Sequence, residues 1–94
     1  GLGDVYKRQP YSIAKTAVVR LTESLAAEVK VDGVRVNVVL PGTIDTPANR
    51  RAMADSDPRA WVEPEALADA MFFLASPQAR AVTGVALPVF GLGA

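Results

Sequence analysis

Val34-Arg35-Val36-Asn37-Val38-Val39-Leu40-Pro41-Gly42 is the stretch that decides the fold. Val34 to Leu40 is short, β-branched and nearly continuous in apolar character, as a parallel strand buried on both faces is. Pro41-Gly42 stops it. Upstream, Tyr11 to about Lys30 has a helical period: Ala14, Val18, Leu21, Leu25 and Val29 recur at steps of three and four and make one apolar stripe. Ile13, Ala17, Ser24 and Ala27 form a second, mostly small strip on which another helix can approach closely. Asp32-Gly33 ends this helix, with Gly33 supplying the left-handed turn.

Downstream, residues 43 to 62 are polar and irregular, with a short helix expected around Ala48–Ala54. Glu63-Pro64-Glu65 opens a further helix running to about Ala75, in which Leu67, Met71 and Leu74 are expected to face the core, and Ser76-Pro77 closes it. Thr83-Gly84 reads as a turn, Val85 to Phe90 as a second short apolar strand, and Gly91 to Ala94 as a flexible tail. The order α-β-loop-α-β belongs to an α/β parallel sheet covered by helices. The first nine residues, Gly1 to Gln9, carry three charges and two glycines in no period, and are expected to be a leader foreign to the fold. Pro10 is then expected to open the helix, where its missing N–H costs nothing.

At 94 residues there is room for one small domain with a modest core. Ten basic and ten acidic residues cancel, so the basic excess that phosphate-backbone binding requires is absent and nucleic acid is not an expected partner. Nothing in the net charge keeps copies of the chain apart. With no cysteine and no histidine, disulfides, thiolate or imidazole metal sites, cysteine nucleophiles and Ser-His-Asp triads are all excluded. No metal site is therefore expected, and acid–base chemistry near neutral pH falls to Tyr, Lys or a shifted carboxylate. The apolar runs are too short to span a bilayer and the N-terminus has no signal-peptide pattern, which makes a soluble, cytoplasmic protein the expectation.

Tyr11 and Lys15 lie four apart at the start of the first helix and share a face. A phenol is a poor base at neutral pH, and an ammonium group beside it favours the phenolate, so such a pair can give a proton in carbonyl reduction or take one in alcohol oxidation. Alone, a Tyr-x-x-x-Lys spacing is more often coincidence than chemistry. Here the pair opens an amphipathic helix that leads to a buried strand and then to Pro41-Gly42-Thr43-Ile44-Asp45-Thr46. Ligands of open α/β sheets bind beyond the carboxyl ends of the strands, where that turn belongs. Its amides and the Thr46 hydroxyl suit an amide ligand such as a nicotinamide carboxamide.

Tyr11-Ser12-Ile13-Ala14-Lys15-Thr16-Ala17 resembles the active-site helix of the short-chain dehydrogenase/reductase superfamily. Arg35 to Gly42 resembles its following strand and Pro-Gly turn, and Thr83-Gly84-Val85-Ala86-Leu87-Pro88-Val89 its last strand. The resemblance runs from Tyr11 to Gly91 and implies that residues 11–94 are the C-terminal portion of a single Rossmann-type, doubly wound parallel-sheet domain. It implies an oxidoreductase that moves a hydride between NAD or NADP and a carbonyl, imine or alcohol carbon of a small molecule. Tyr11 would be the proton donor or acceptor, and Lys15 would bind the nicotinamide ribose and favour the Tyr11 phenolate. Pro41, Gly42, Ile44 and Thr46 would line the nicotinamide, Tyr11 and Lys15 would also touch the cofactor, and the loop Thr43 to Trp61 would meet the substrate. A homodimer or homotetramer is implied for the full-length protein. Asp45-Thr46-Pro47-Ala48-Asn49-Arg50, with Met53 and Trp61, is similar to dihydropteridine reductase-like members, from which Gly42 departs. The superfamily's glycine-rich phosphate turn, its NAD- or NADP-selecting residue and its catalytic Ser and Asn are not found in these residues, so the isolated chain is expected to be inactive. The competing reading is a non-catalytic α/β module whose helix faces mediate self-association.

Overall fold

The computed structural model describes residues 2–92, with side chains from Tyr11 onward. The elements are α1 (Leu2–Val29), a 3-10 turn (Lys30–Asp32), β1 (Val38–Pro41), α2 (Pro47–Ala52), a 3-10 turn (Pro58–Ala60), α3 (Pro64–Ala75), a 3-10 turn (Pro77–Ala79) and β2 (Ala86–Val89). β1 and β2 are neighbours in a two-stranded sheet. Val38 N–H donates to Val85 O at 2.9 Å and Gly42 N–H to Val89 O at 3.0 Å. Both partners advance together, so the strands are parallel and need the long crossover that contains α3. The chain divides into two compact units, Gly1–Val38 with Thr83–Ala86, and Val39–Val82 with Leu87–Ala94.

In the first unit α1 ends as expected: Gly33 adopts φ 73° and its N–H caps Lys30 O at 3.0 Å. Its start differs from expectation. The helix begins at Leu2 instead of Tyr11, and Pro10 lies inside it. Once a helix is nucleated each further residue adds a bond at little cost, and residues 2–10 extend it backwards. The packed face also differs. Thr22 and Ala26 are buried, with Lys15, Val19 and Val29 half-buried, while Val18, Leu21 and Leu25 of the expected stripe are exposed, Leu21 by 66%.

On the packed face the Gly84 turn, at φ 76°, lies against Ala26: a Cβ built on Gly84 would be in ordinary van der Waals contact with that of Ala26, at 3.6 Å. Thr22 tolerates burial because its hydroxyl donates to Val18 O at 2.8 Å. The strand ladder likewise starts at Val38, later than Val34. Before it, side chains bridge the gap: Val36 N–H donates to Thr83 Oγ1 at 3.2 Å and Val85 N–H to Asn37 Oδ1 at 3.0 Å.

The second unit holds Val62, only 2% exposed, together with the buried Leu74 and Ala79. α3 occupies the expected residues, with Pro64 in its first turn and Ser76 as its C-cap. Leu74 is buried and Leu67 half-buried, but Met71 is 54% exposed and Phe72 78%, so the core face of α3 is narrower than its sequence suggests. α2 starts and stops slightly earlier than the expected Ala48–Ala54, because Thr46 caps it and Pro47 fills its first position. Gly91 turns at φ 67° with Ala60 O 3.0 Å from where a Cβ would stand. The rest of the expected tail, Gly93 and Ala94, lies outside the described residues.

Exposed Ile13, Leu21, Leu25, Met71, Phe72 and Phe73 leave large apolar surfaces in water. The 94-residue chain is therefore predicted to self-associate or to be molten. Sedimentation velocity with a denaturation curve checks this, and a monomer with one sharp cooperative transition would overturn it.

Candidate functional site

The sequence places the expected residues in two groups. Tyr11 and Lys15 sit one turn apart on α1 in the first unit, Tyr11 64% exposed and Lys15 half-buried in the row that continues through Val19, Thr22 and Ala26. Beside them the Thr16 hydroxyl donates to Ser12 O at 3.0 Å, a local bond that leaves the helix unbroken.

Pro41, Gly42, Ile44 and Thr46 are all half-buried in the second unit, at the end of β1 and just beyond it. Gly42 has a steric reason to be glycine: an added Cβ would meet the Phe90 Cα and O at 3.2 Å. After it the backbone runs beside Val62 as a parallel bridge centred on Ile44. Val62 N–H donates to Thr43 O and Asp45 N–H to Val62 O, each at 2.8 Å. The Asn49 Nδ2 group donates to Ile44 O at 2.8 Å, and the Asn49 N–H to Thr46 Oγ1 at 3.1 Å. Among the described residues neither the Ile44 nor the Thr46 backbone N–H donates into this network.

Arg50 closes the frame. Its Nε and one terminal nitrogen form a fork on Asp45, at 2.7 and 2.9 Å. The hydrogen bonds from that guanidinium hold the Asp45 carboxyl below the usual carboxylate range, with its positive charge adding to them, and Arg50 is raised in turn. On the other side Arg50 joins Met53, Ala54, Ser56, Pro58 and Trp61 around an open pocket of about 190 Å³, within the expected substrate loop.

Asn49 and Arg50 as framing groups are what sequence reasoning misses. Thr46-Pro47 is a legible helix start, but a carboxylate and guanidinium five apart follow no helical or strand period. Among the described residues no group of three or more His, Cys, Asp or Glu could hold a metal ion, and no helix is long and apolar enough to cross a membrane.

The sequence profile of the Enoyl-(Acyl carrier protein) reductase family matches residues 3–91. The chain belongs to the short-chain dehydrogenase/reductase superfamily, and its α/β architecture is a portion of that Rossmann-type fold. It is 41% identical over 91 residues to 3beta-hydroxysteroid dehydrogenase 1 of Eggerthella lenta, covering 86% of this chain and 35% of that protein. It is equally 41% identical over 91 residues to the L-rhamnose 1-dehydrogenase (NAD(P)(+)) of a Sphingomonas species, covering 86% of this chain and 36% of that one. The structure of a short chain dehydrogenase from Mycobacterium paratuberculosis bound to NAD superposes with a TM-score of 0.68 at 34% identity, over 84% of this chain and 36% of that one. The chain thus spans little more than a third of the length of these relatives.

The family's cofactor is NAD or NADP. The donor set beyond β1 fits the nicotinamide end of such a molecule. The Ile44 and Thr46 amides are outside the frame, and the Thr46 oxygen, which accepts from Asn49, still has a proton to donate.

The Asp45–Arg50 pair sets a pH dependence. A carboxyl held low in the folded state contributes stability fully above its ordinary pKa of about 3.9, and that contribution is lost as pH falls through the lower folded value. Amide protection, the intrinsic exchange rate at each pH relative to the observed one, is predicted to fall at Asp45, Asn49 and Arg50 below about pH 4, and Asp45→Asn to show the low protection already at neutral pH. Equal protection in both proteins across the range would show that the fork holds nothing.

Proposed function

We propose that the full-length protein containing this chain is an NAD(P)-dependent oxidoreductase transferring a hydride between nicotinamide and a carbonyl, imine or alcohol carbon of a small molecule. The observation that supports it most is the Tyr11–Lys15 pair, one helical turn apart on α1, in a chain of this superfamily. Bound NAD(P) supplies or takes up the hydride. The Tyr11 hydroxyl moves the proton at the substrate oxygen, giving it in reduction and removing it in oxidation. Lys15 carries a positive charge one turn away, and its ammonium group would hold the nicotinamide ribose. Pro41, Gly42, Ile44 and Thr46 line the nicotinamide, with the Ile44 and Thr46 donors directed at its carboxamide. The loop Thr43 to Trp61, with its pocket, receives the substrate.

Residues 11–94 form the C-terminal part of one Rossmann-type domain in this reading, and the exposed apolar side of α1 supports assembly as a homodimer or homotetramer in the cytoplasm. The two relatives at the same identity are a steroid dehydrogenase and a rhamnose dehydrogenase, so identity at this level favours no one substrate.

In the full-length enzyme Tyr11→Phe keeps the ring and the fold, and is predicted to slow turnover by roughly 10²–10⁴. Lys15→Ala is predicted to do comparable damage, and Lys15→Arg to restore only part, since arginine keeps the charge without the compact donor. Near-normal turnover of Tyr11→Phe would overturn the assignment and move the acid to another group. Calorimetry of the 94-residue chain alone is predicted to detect no NAD(P) binding, because no glycine-rich turn in it joins a strand to a helix. Measurable affinity would contradict this.

A further inference from the structure

We infer that Asn49 and Arg50 are positioning residues, which aim the Ile44 and Thr46 donors at the cofactor without touching it; this rests on the proposed nicotinamide-lining role of Ile44 and Thr46. The inference starts from the planarity of the peptide unit. In a trans peptide the C=O and the following N–H point in opposite directions, so fixing one fixes the other.

The unit joining Thr43 to Ile44 is fixed through its carbonyl, which accepts from Val62 N–H at 2.8 Å. Its Ile44 N–H is thereby turned away from Val62. The next unit, joining Ile44 to Asp45, is held at both ends: Asn49 Nδ2 donates to Ile44 O at 2.8 Å, and Asp45 N–H donates to Val62 O at 2.8 Å. Thr46 O accepts from Arg50 N–H at 2.9 Å, and Thr46 Oγ1 from Asn49 N–H. Between these units stands Asp45, whose side chain is gripped by the Arg50 fork and only 23% exposed. The peptides on either side of the Asp45–Thr46 unit, which carries the Thr46 N–H, are thus bonded, and Asp45 between them is held by its side chain. Val62 supplies one side of the frame, and Asn49 and Arg50 supply the other.

Asn49 cannot be replaced by an acceptor. Asn49→Asp removes both Nδ2 donors and sets a carboxylate against the Ile44 carbonyl, so the Ile44–Asp45 peptide must turn. Arg50→Gln breaks the fork at a side chain 58% exposed, where global folding is not at stake.

The test titrates the full-length enzyme and these variants with NAD(P)H, and with the same cofactor lacking its nicotinamide, ADP-ribose or its 2′-phosphate. The expected result is a Kd for NAD(P)H raised about tenfold in each variant, the scale of one lost hydrogen bond, with the Kd for the nicotinamide-free ligand unchanged. Equal weakening of both ligands, or weakening of neither, would overturn the inference, since a purely structural role does not single out the nicotinamide end. Thr46→Val separates the two levels. If it leaves NAD(P)H binding unchanged, the nicotinamide site itself is misassigned and the positioning role falls with it. If it weakens NAD(P)H binding while Asn49→Asp and Arg50→Gln do not, the positioning role alone is wrong.

Discussion

Val62 gives both of its backbone groups to the stretch Thr43–Asp45, and the shape of the second unit follows from that exchange. At 2% exposure its N–H and C=O have no water to fall back on, so each must find a partner in the protein. The chain beyond β1 meets that demand by running parallel to residue 62 for one bridge and no further. A bridge of this length cannot become a strand, and the backbone leaves it directly into the Thr46 cap and α2. The polar loop is therefore ordered by a buried valine, and its outer side is free to carry donors that no internal partner uses.

In the first unit the Gly84 turn lies in contact with Ala26, and the buried Thr22 satisfies its hydroxyl on the preceding turn. Val18, Leu21 and Leu25 of the same helix stand exposed. Hydrophobic periodicity states that a face favours burial. It does not state whether the same chain supplies the cover.

This separates what could be read from the sequence from what could not. The limits of α3, the Gly33 stop and the Thr46-Pro47 start are local chemistry: a fixed proline φ, a left-handed glycine, a hydroxyl two or three residues from an orphan amide. The one-turn spacing of Tyr11 and Lys15 on α1 is legible for the same reason. The late start of β1 is not legible, because Asn37 and Thr83 substitute for ladder bonds across a separation that only the folded chain closes. Nor is the Asp45–Arg50 fork, which depends on the loop first being bent by Val62. The backward extension of α1 through Pro10 reverses a local rule that gave the right answer at Pro64.

Arg50 belongs to two structures at once, the frame around Ile44–Thr46 and the wall of the pocket. The other lining residues, Met53, Ala54, Ser56, Pro58 and Trp61, place no side-chain hydrogen bond on Asp45 or Ile44. Arg50 cannot change without loosening Asp45. The loop is thus divided by its own bonding into side chains that hold the frame and side chains that do not.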